Sequence, residues 1–250
     1  MAASRFFAVG PFDGDLLPLS PQDLHHAVTV LRLAPGDELT LVSEDRVARR
    51  LRLTEVSKTA LRGELIDSSQ RPWLPSVTLV TALAKGDKTD LAVEKAVELG
   101  AEGIVLLETE RSQVRLDAAR RPKRVDRLAR IAESAARQSD RFEVPPVAGP
   151  VTVSEFASSV EGFARVLVAW EEHAVGGIDA AVADVAADGR VAVVVGPEGG
   201  LTPAEVGVLT DAGAVAVTLG PGILRTETAA IVATALTLAA MGGMGFRGDR

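Results

Sequence analysis

The stretch VAVVVGPEGGLTPAEVGVLTDAGAVAVTLGPGILRTET, residues 191–228, decides the fold. Val191–Val195 is an unbroken β-branched and apolar run, the pattern of a strand buried on both faces. The glycine loop Gly196-Pro197-Glu198-Gly199-Gly200 ends it. Pro203–Gly213 then reads as a helix with proline in its first turn. Ala214–Leu219 is a second strand, Gly220-Pro221-Gly222 a second glycine loop, and Thr226–Met241 a long Ala/Thr/Leu-rich helix. This alternation predicts a parallel sheet covered by helices on both faces. Ligands of such sheets sit beyond the carboxyl ends of the strands. The two loops, at the ends of two successive strands, therefore make one candidate pocket.

The same rhythm extends back to Val77. Val77–Leu83 and Ile104–Leu107 read as buried strands, and Asp87–Leu99 as an amphipathic helix closed by Gly100. Pro122–Gln138 is a helix with Val125, Leu128, Ile131 and Ala132 on one face, and Ala164–Trp170 is a further strand. Residues before Val77 read differently. Strand-like runs at Arg5–Val9, Glu38–Val42, Val47–Leu53 and Leu61–Ile66 alternate with turn signals, which suggests a small barrel. Pro21–Leu33 carries helical spacing, with Ser20 as its cap. Asp67–Pro75 has no periodicity and reads as a linker. The expected domains are thus 1–70, a small barrel, and 76–250, an α/β domain. The last helix is apolar on nearly every side, so it is either deeply buried or packed against a second subunit.

Composition narrows the function. The 250 residues are 47% hydrophobic and 24% charged, which excludes a disordered chain. There is no Cys and there are three His, so thiolate zinc sites, disulfides and a cysteine nucleophile are excluded and no metal is expected. With no 18-residue apolar run and no signal-like start, a soluble cytoplasmic protein without membrane contact is expected. The net charge is −7, yet residues 111–141 hold ten Lys/Arg against four Asp/Glu. An acidic chain with one basic segment fits binding of a polyanion there, or simply a solvated helix face.

The loops lack the Lys and Ser/Thr of a phosphate loop, and no GxGxxG follows the first strand of the second domain. A carboxylate at Glu198 would repel phosphate but tolerate a cation or accept hydrogen bonds from hydroxyls. A nucleoside carrying a sulfonium, S-adenosylmethionine, fits that better, against the bland reading of two ordinary turns.

GPEGGLTPAE (Gly196–Glu205) followed by LGPGILRTETAA (Leu219–Ala230) resembles the C-terminal signature of the knotted-trefoil (SPOUT) methyltransferases. It is most similar to the bacterial family that methylates N3 of a uridine in 16S ribosomal RNA. The likeness includes Arg5-Phe6-Phe7, His25, Val30–Arg32, Gly36-Asp37, Lys85-Gly86-Asp87-Lys88, Glu94–Ala101, Glu110-Arg111-Ser112 and Ile131–Arg141. It departs at Gly222, where the family often has Arg, and at Ala136-Arg137. The resemblance implies a PUA-like β-barrel for RNA, then a trefoil-knotted parallel sheet flanked by helices. It also implies a homodimer, and 16S ribosomal RNA or the small ribosomal subunit as partner, with no role for DNA.

On that resemblance, Gly196, Glu198, Gly199, Gly200, Leu219, Gly220, Ile223, Leu224 and Thr226 are the candidate cofactor residues. Arg225 is the candidate catalytic residue: it stands at a helix N-terminus, where a cation is electrostatically disfavoured, and it could stabilise the anion that forms on uracil. Glu227 is a lesser candidate, as a base. Arg5, Arg32, Arg111, Arg120, Arg121, Arg124, Gln138 and Arg141 are the candidate RNA contacts. Glu171 and Glu172 read as surface acids, with one of them possible on the cofactor side. The competing readings are a knotted methyltransferase of another RNA, such as transfer RNA or a ribose 2′-hydroxyl, and a non-catalytic RNA-binding assembly factor. The intact glycine loops speak against the last.

Overall fold

Strand β10 (Val191–Val195) lies at the centre of a seven-stranded, wholly parallel sheet in the computed structural model, which describes residues 4–170, 172 and 176–244. Its neighbours are β5 (Val77–Ala82) and β8 (Arg165–Ala169). Beyond β5 lie β6 (Gly103–Glu108) and β7 (Val147–Thr152); beyond β8 lie β11 (Val215–Thr218) and the two-residue β9 (Gly176–Gly177). Val193 pairs with Leu79 on one side and Leu167 on the other, and all five residues of β10 are buried. A fully buried valine contributes roughly 1.5–3 kcal/mol, so the run is both the register and much of the cohesion of the sheet.

Helices cover both faces. Ala192 and Val194 join Phe156, Val206 and Leu209 in the core beneath α4 (Val153–Ala157) and α6 (Pro203–Asp211). Strand alternation turns Val193 to the other face. There α7 (Thr226–Ala240) packs on β5 and β10 and against α2 (Lys88–Leu99) and α5 (Ile178–Val182). Two threonines on this buried helix are fully covered. Their hydroxyls donate to carbonyls one turn back, Thr234 to Ala230 at 2.8 Å and Thr237 to Ala233 at 2.7 Å, so neither is unsatisfied. Of the two fates expected for α7, burial holds for one face. The other leaves Leu236 exposed and Ile231 and Val232 half-buried.

The chain divides into two units. The second comprises Trp73–Ala135 and Pro145–Arg250 and holds the parallel sheet; the first comprises Met1–Pro72 with Ala136–Val144. In the first unit β1 (Ser4–Phe7) pairs parallel with β2 (Glu38–Val42), which pairs antiparallel with β3 (Val47–Val56). β3 pairs in turn with β4 (Leu61–Gln70). Register shifts at Arg50/Leu51 and Leu53/Glu55 bend and twist this pair. Phe6, Leu17, Ala27, Leu39, Leu41, Leu51, Leu53 and Leu61 form its core.

Three boundaries differ from those expected. β4 continues through Asp67 to Gln70, because backbone pairing of Arg50 with Asp67 and Val47 with Gln70 carries a polar run into the sheet. The linker is therefore shorter than Asp67–Pro75. The helix expected over Pro21–Leu33 is α1 (Pro21–His25) followed by one π turn, His26–Val30. There the Leu31 N–H reaches His26 O, and Arg32 adopts φ 54°. The β-branched Val28, Thr29 and Val30 fit a regular helix poorly, which accounts for the early end. Ser20 does cap α1, accepting from the Asp23 N–H at 3.0 Å.

Third, Ala136–Val144 belongs with the first unit although it follows the middle of the chain. It begins inside α3 (Arg120–Gln138). Arg137 meets the buried Asp23 at 2.6 Å and lies over the Phe6 ring. Arg5 bonds Asp140 at 3.0 Å and the Arg141 carbonyl at 2.8 Å. Glu143 receives Arg46 and Arg71. The sequence pattern also did not announce β7, α4, β9 and α5.

Asp23 both closes the cap of α1 and meets Arg137, so Asp23→Ala is expected to destabilise the first unit by about 3 kcal/mol, the scale of breaking a buried pair. Urea unfolding followed by tryptophan-independent circular dichroism measures this; a midpoint unchanged from the parent would contradict it.

Candidate functional site

The two glycine loops open from the same end of the sheet, but not from neighbouring strands. β10 and β11 flank β8, so Ala169 and Trp170 at the end of β8 lie between the loops. The first loop is a tight turn in which the Gly200 N–H donates to Pro197 O at 2.9 Å, with Gly200 at φ +68°. At Gly196 a Cβ would stand 3.0 Å from the Leu201 amide nitrogen, so only glycine lets the chain fold back this closely. Thr202 then caps α6 in a reciprocal box with Glu205. In the second loop Gly220 sits at φ +117°, and its N–H donates to Thr218 Oγ1 at 3.1 Å.

Between the loops is a cavity of about 330 Å³. Of the expected cofactor residues, Gly196, Glu198, Gly200, Leu219, Gly220, Ile223, Leu224 and Thr226 line it; Gly199 does not. Gly199 instead lies under Arg111, whose Nη1 donates to its carbonyl at 3.0 Å. Arg225 lines the cavity too, as the N-cap residue of α7. Among the described residues its guanidinium has no ion pair, with neither Glu198 nor Glu227. Glu227 is not on the wall, and its Oε2 is buried without a hydrogen-bond partner among the described residues. Ile223 is 92% exposed at the mouth. Glu171 and His173 lie outside the described residues; Glu172 is exposed.

Lys88 and Trp170 line the cavity and were not found by reading the loops. Lys88 belongs to a turn closed by Thr89, which accepts from the Ala84 N–H at 2.9 Å. That turn brings Lys88 Nζ to 2.8 Å and the Lys85 N–H to 3.3 Å from Glu198 Oε1. Burial alone would raise the Glu198 carboxyl. The hydrogen bonds from Lys88 and from backbone N–H groups outweigh it and hold the group below its ordinary value of 4.5. The carboxylate is therefore matched by a cation, and Lys88 offsets the repulsion that Glu198 alone would exert on a phosphate. What the wall offers is an apolar bed from Val195, Leu219 and Leu224, the ion pair of Lys88 with Glu198, and Arg225, which is unpaired among the described residues. Among the described residues no cluster of His, Cys, Asp and Glu is arranged to hold a metal.

The basic segment is less free than its sequence suggests. Arg124 and Arg127 converge on Asp90 of α2, at 2.8 and 2.5 Å, and Arg121 meets Glu108 at 2.7 Å. Arg141 is buried and Arg5 half-buried in the first unit. Arg32, Arg111, Arg120 and Gln138 are exposed; the pair of Arg120 with Asp117 is open to solvent and weak. Partners distant in sequence were the missing information.

The sequence profile of an RNA methyltransferase domain matches residues 72–238, and that of an RNA methyltransferase PUA domain matches residues 19–66. The Ribosomal RNA small subunit methyltransferase E of Mycobacterium tuberculosis is 41% identical over 233 residues, 90% of this chain and 84% of the relative. Its Bacillus subtilis namesake is 35% identical over 221 residues, 86% of each chain. The crystal structure of the Neisseria gonorrhoeae protein of that name, bound to S-adenosylmethionine, matches with a TM-score of 0.79 at 30% identity, over 93% of this chain and 95% of that one.

Because folding lowers the Glu198 value, its pair with Lys88 stabilises fully above 4.5 and loses that contribution as pH falls through the lowered folded value. Lys88→Met is expected to cost about 0.5 kcal/mol at pH 7 and less at an acidic pH below that lowered value. Thermal melts at the two pH values test this; an equal deficit at both would mean that Lys88 acts by packing.

Proposed function

The chain belongs to the RNA methyltransferase family, and from that premise we propose that it transfers a methyl group from S-adenosylmethionine to N3 of a uridine in the 16S ribosomal RNA of the small ribosomal subunit. One observation carries this reading: both glycine loops converge on a single cavity at the carboxyl end of the parallel sheet. The cavity suits the cofactor in size and lining. About 330 Å³ falls in the range of small-molecule sites. Glycine backbone can approach a nucleoside closely, and Leu219 and Leu224 offer apolar surface to a base.

When bound, the cofactor supplies an electrophilic methyl group on a sulfonium. The residues of the chain do the rest. Gly196, Glu198, Gly200, Leu219, Gly220, Ile223, Leu224 and Thr226 would hold the cofactor, with Gly199 supporting the loop from outside the wall through its bond to Arg111. Uracil N3 must lose its proton, to solvent, to become a nucleophile, and charge then builds on the flanking carbonyl oxygens. Arg225, unpaired at the cavity wall, stabilises that charge. Glu227 fits poorly as the base, since it does not line the cavity. Its place in the first turn of α7 suits a partner of the helix dipole.

RNA is held by Arg32, Arg120 and Gln138, with Arg111 at the loop. Arg121 and Arg124 contribute field more than direct contact while they stay with Glu108 and Asp90. Arg5 and Arg141 are structural supports of the first unit, which orients RNA by shape. The likeness of the two glycine loops to those of the knotted-trefoil methyltransferases supports a knotted chain. The open apolar face of α7, with Leu236 exposed, supports a homodimer. No described helix is long and apolar enough to cross a membrane, and a ribosomal substrate supports work in the cytoplasm.

Purified protein, small subunits from cells lacking this activity and methyl-labelled cofactor should yield 3-methyluridine on nucleoside mass analysis. Label on a ribose, on another base or on transfer RNA instead would overturn the proposal. Arg225→Ala should lower turnover ~100-fold while cofactor affinity stays within a factor of about three. A parallel fall in affinity would make Arg225 a binding residue. Light scattering should give twice 26.1 kDa; a monomer at micromolar concentration would remove the dimer.

A further inference from the structure

The turn that follows β6 grips the first glycine loop at two points. Arg111 Nη1 donates to the Gly199 carbonyl at 3.0 Å, and its aliphatic stem lies flat on that glycine. A Cβ at position 199 would stand 3.1 Å from Arg111 Cβ, so the residue there is glycine to admit the arginine. One residue earlier, the Glu110 N–H donates to Glu205 Oε1 at 2.7 Å. The other oxygen of Glu205 closes the cap at Thr202, so the segment from Gly199 to Glu205 is held at both ends. The turn itself is stiffened by the buried hydroxyls of Thr109 and Ser112, 2.8 Å apart. Gly199 is not on the cavity wall, but its neighbours Glu198 and Gly200 are.

Arg111 is exposed while it makes this bond. A guanidinium has five N–H donors in a planar fork, so donation to one carbonyl leaves an outer edge for a phosphate. The chain then runs directly into exposed Arg115, Arg120 and Lys123. We propose that Arg111 is a positioning residue that couples the two substrates, holding the glycine loop with its inner edge and an RNA phosphate with its outer edge. A charge-assisted bond to phosphate fixes the guanidinium. A fixed guanidinium fixes the Gly199 carbonyl, and with it the loop that Glu198 and Gly200 present to the cofactor. RNA then tightens cofactor binding, and by linkage the cofactor tightens RNA binding by the same factor.

This inference rests on the methyltransferase reading, and the experiment separates the two. S-adenosylhomocysteine, which cannot donate a methyl group, is titrated calorimetrically into the full-length protein alone and with unmethylated small ribosomal subunits. The wild-type protein should bind it at least about fivefold tighter with the subunit present, the lower end of typical coupling. Arg111→Met, whose unbranched stem still covers Gly199, should bind it alone about threefold more weakly and gain nothing from the subunit. A variant that keeps the full gain, or a wild-type protein that shows none, overturns the coupling. If Arg111 were only a phosphate contact, Arg111→Met would bind RNA with a shallower salt dependence yet keep the gain. A wild-type protein that binds neither S-adenosylhomocysteine nor the subunit defeats the methyltransferase reading instead. Should Arg111→Met fail to fold, Arg111→Lys decides the matter: it keeps the charge and the salt dependence but lacks the fork, and the gain should be lost.

Discussion

Backbone pairing on both sides of β10 is the constraint on which the rest depends. Its five residues are bonded in register to β5 and to β8, and all five are buried. A strand so enclosed has no freedom to slide, since a one-residue slip would exchange its two faces. The chain leaves the sheet at Gly196, into a turn so tight that a Cβ there would stand 3.0 Å from the Leu201 amide nitrogen. The end of β8, fixed by the same register, sets Ala169 and Trp170 opposite. The cavity is a by-product of where the hydrogen-bonded partners run out.

How much of this was legible in the sequence follows from the range of the interactions. Local chemistry could be read directly: Ser20 caps α1, Gly100 closes α2 at φ +123°, and Val191–Val195 is a buried strand with its predicted ends. Both glycine loops and Arg225 were visible as a pattern of residue types. What stayed hidden was set by residues far apart in the chain. Nothing near Glu198 in sequence announces Lys88, and nothing near Arg124 announces Asp90. Asp67–Gln70 looks like a linker by composition and is a strand because β3 pairs with it. The order of strands, with β8 between β10 and β11, is likewise a property of the whole sheet.

Charge shows the same division of information. The basic segment suggested a continuous surface for a polyanion, yet several of its arginines are occupied by carboxylates within the fold. Those pairs lock α3 to α2 and to the end of β6. An arginine engaged by a half-buried carboxylate is an expensive partner for anything else, because the carboxylate would be left behind without its cation. The number of basic residues therefore overstates the charge on offer.

The first unit is discontinuous: Ala136–Val144 returns to it after a long excursion through the second. Gene boundaries and physical boundaries consequently disagree here. A graft that moved residues up to Pro72 onto another catalytic domain would leave Asp23, Arg5, Arg46 and Arg71 without the groups they meet in this chain. Modular exchange of this first unit requires the nine-residue patch to travel with it or to be rebuilt in the recipient. Domain and partner are thus tied by inheritance as well as by covalent connection.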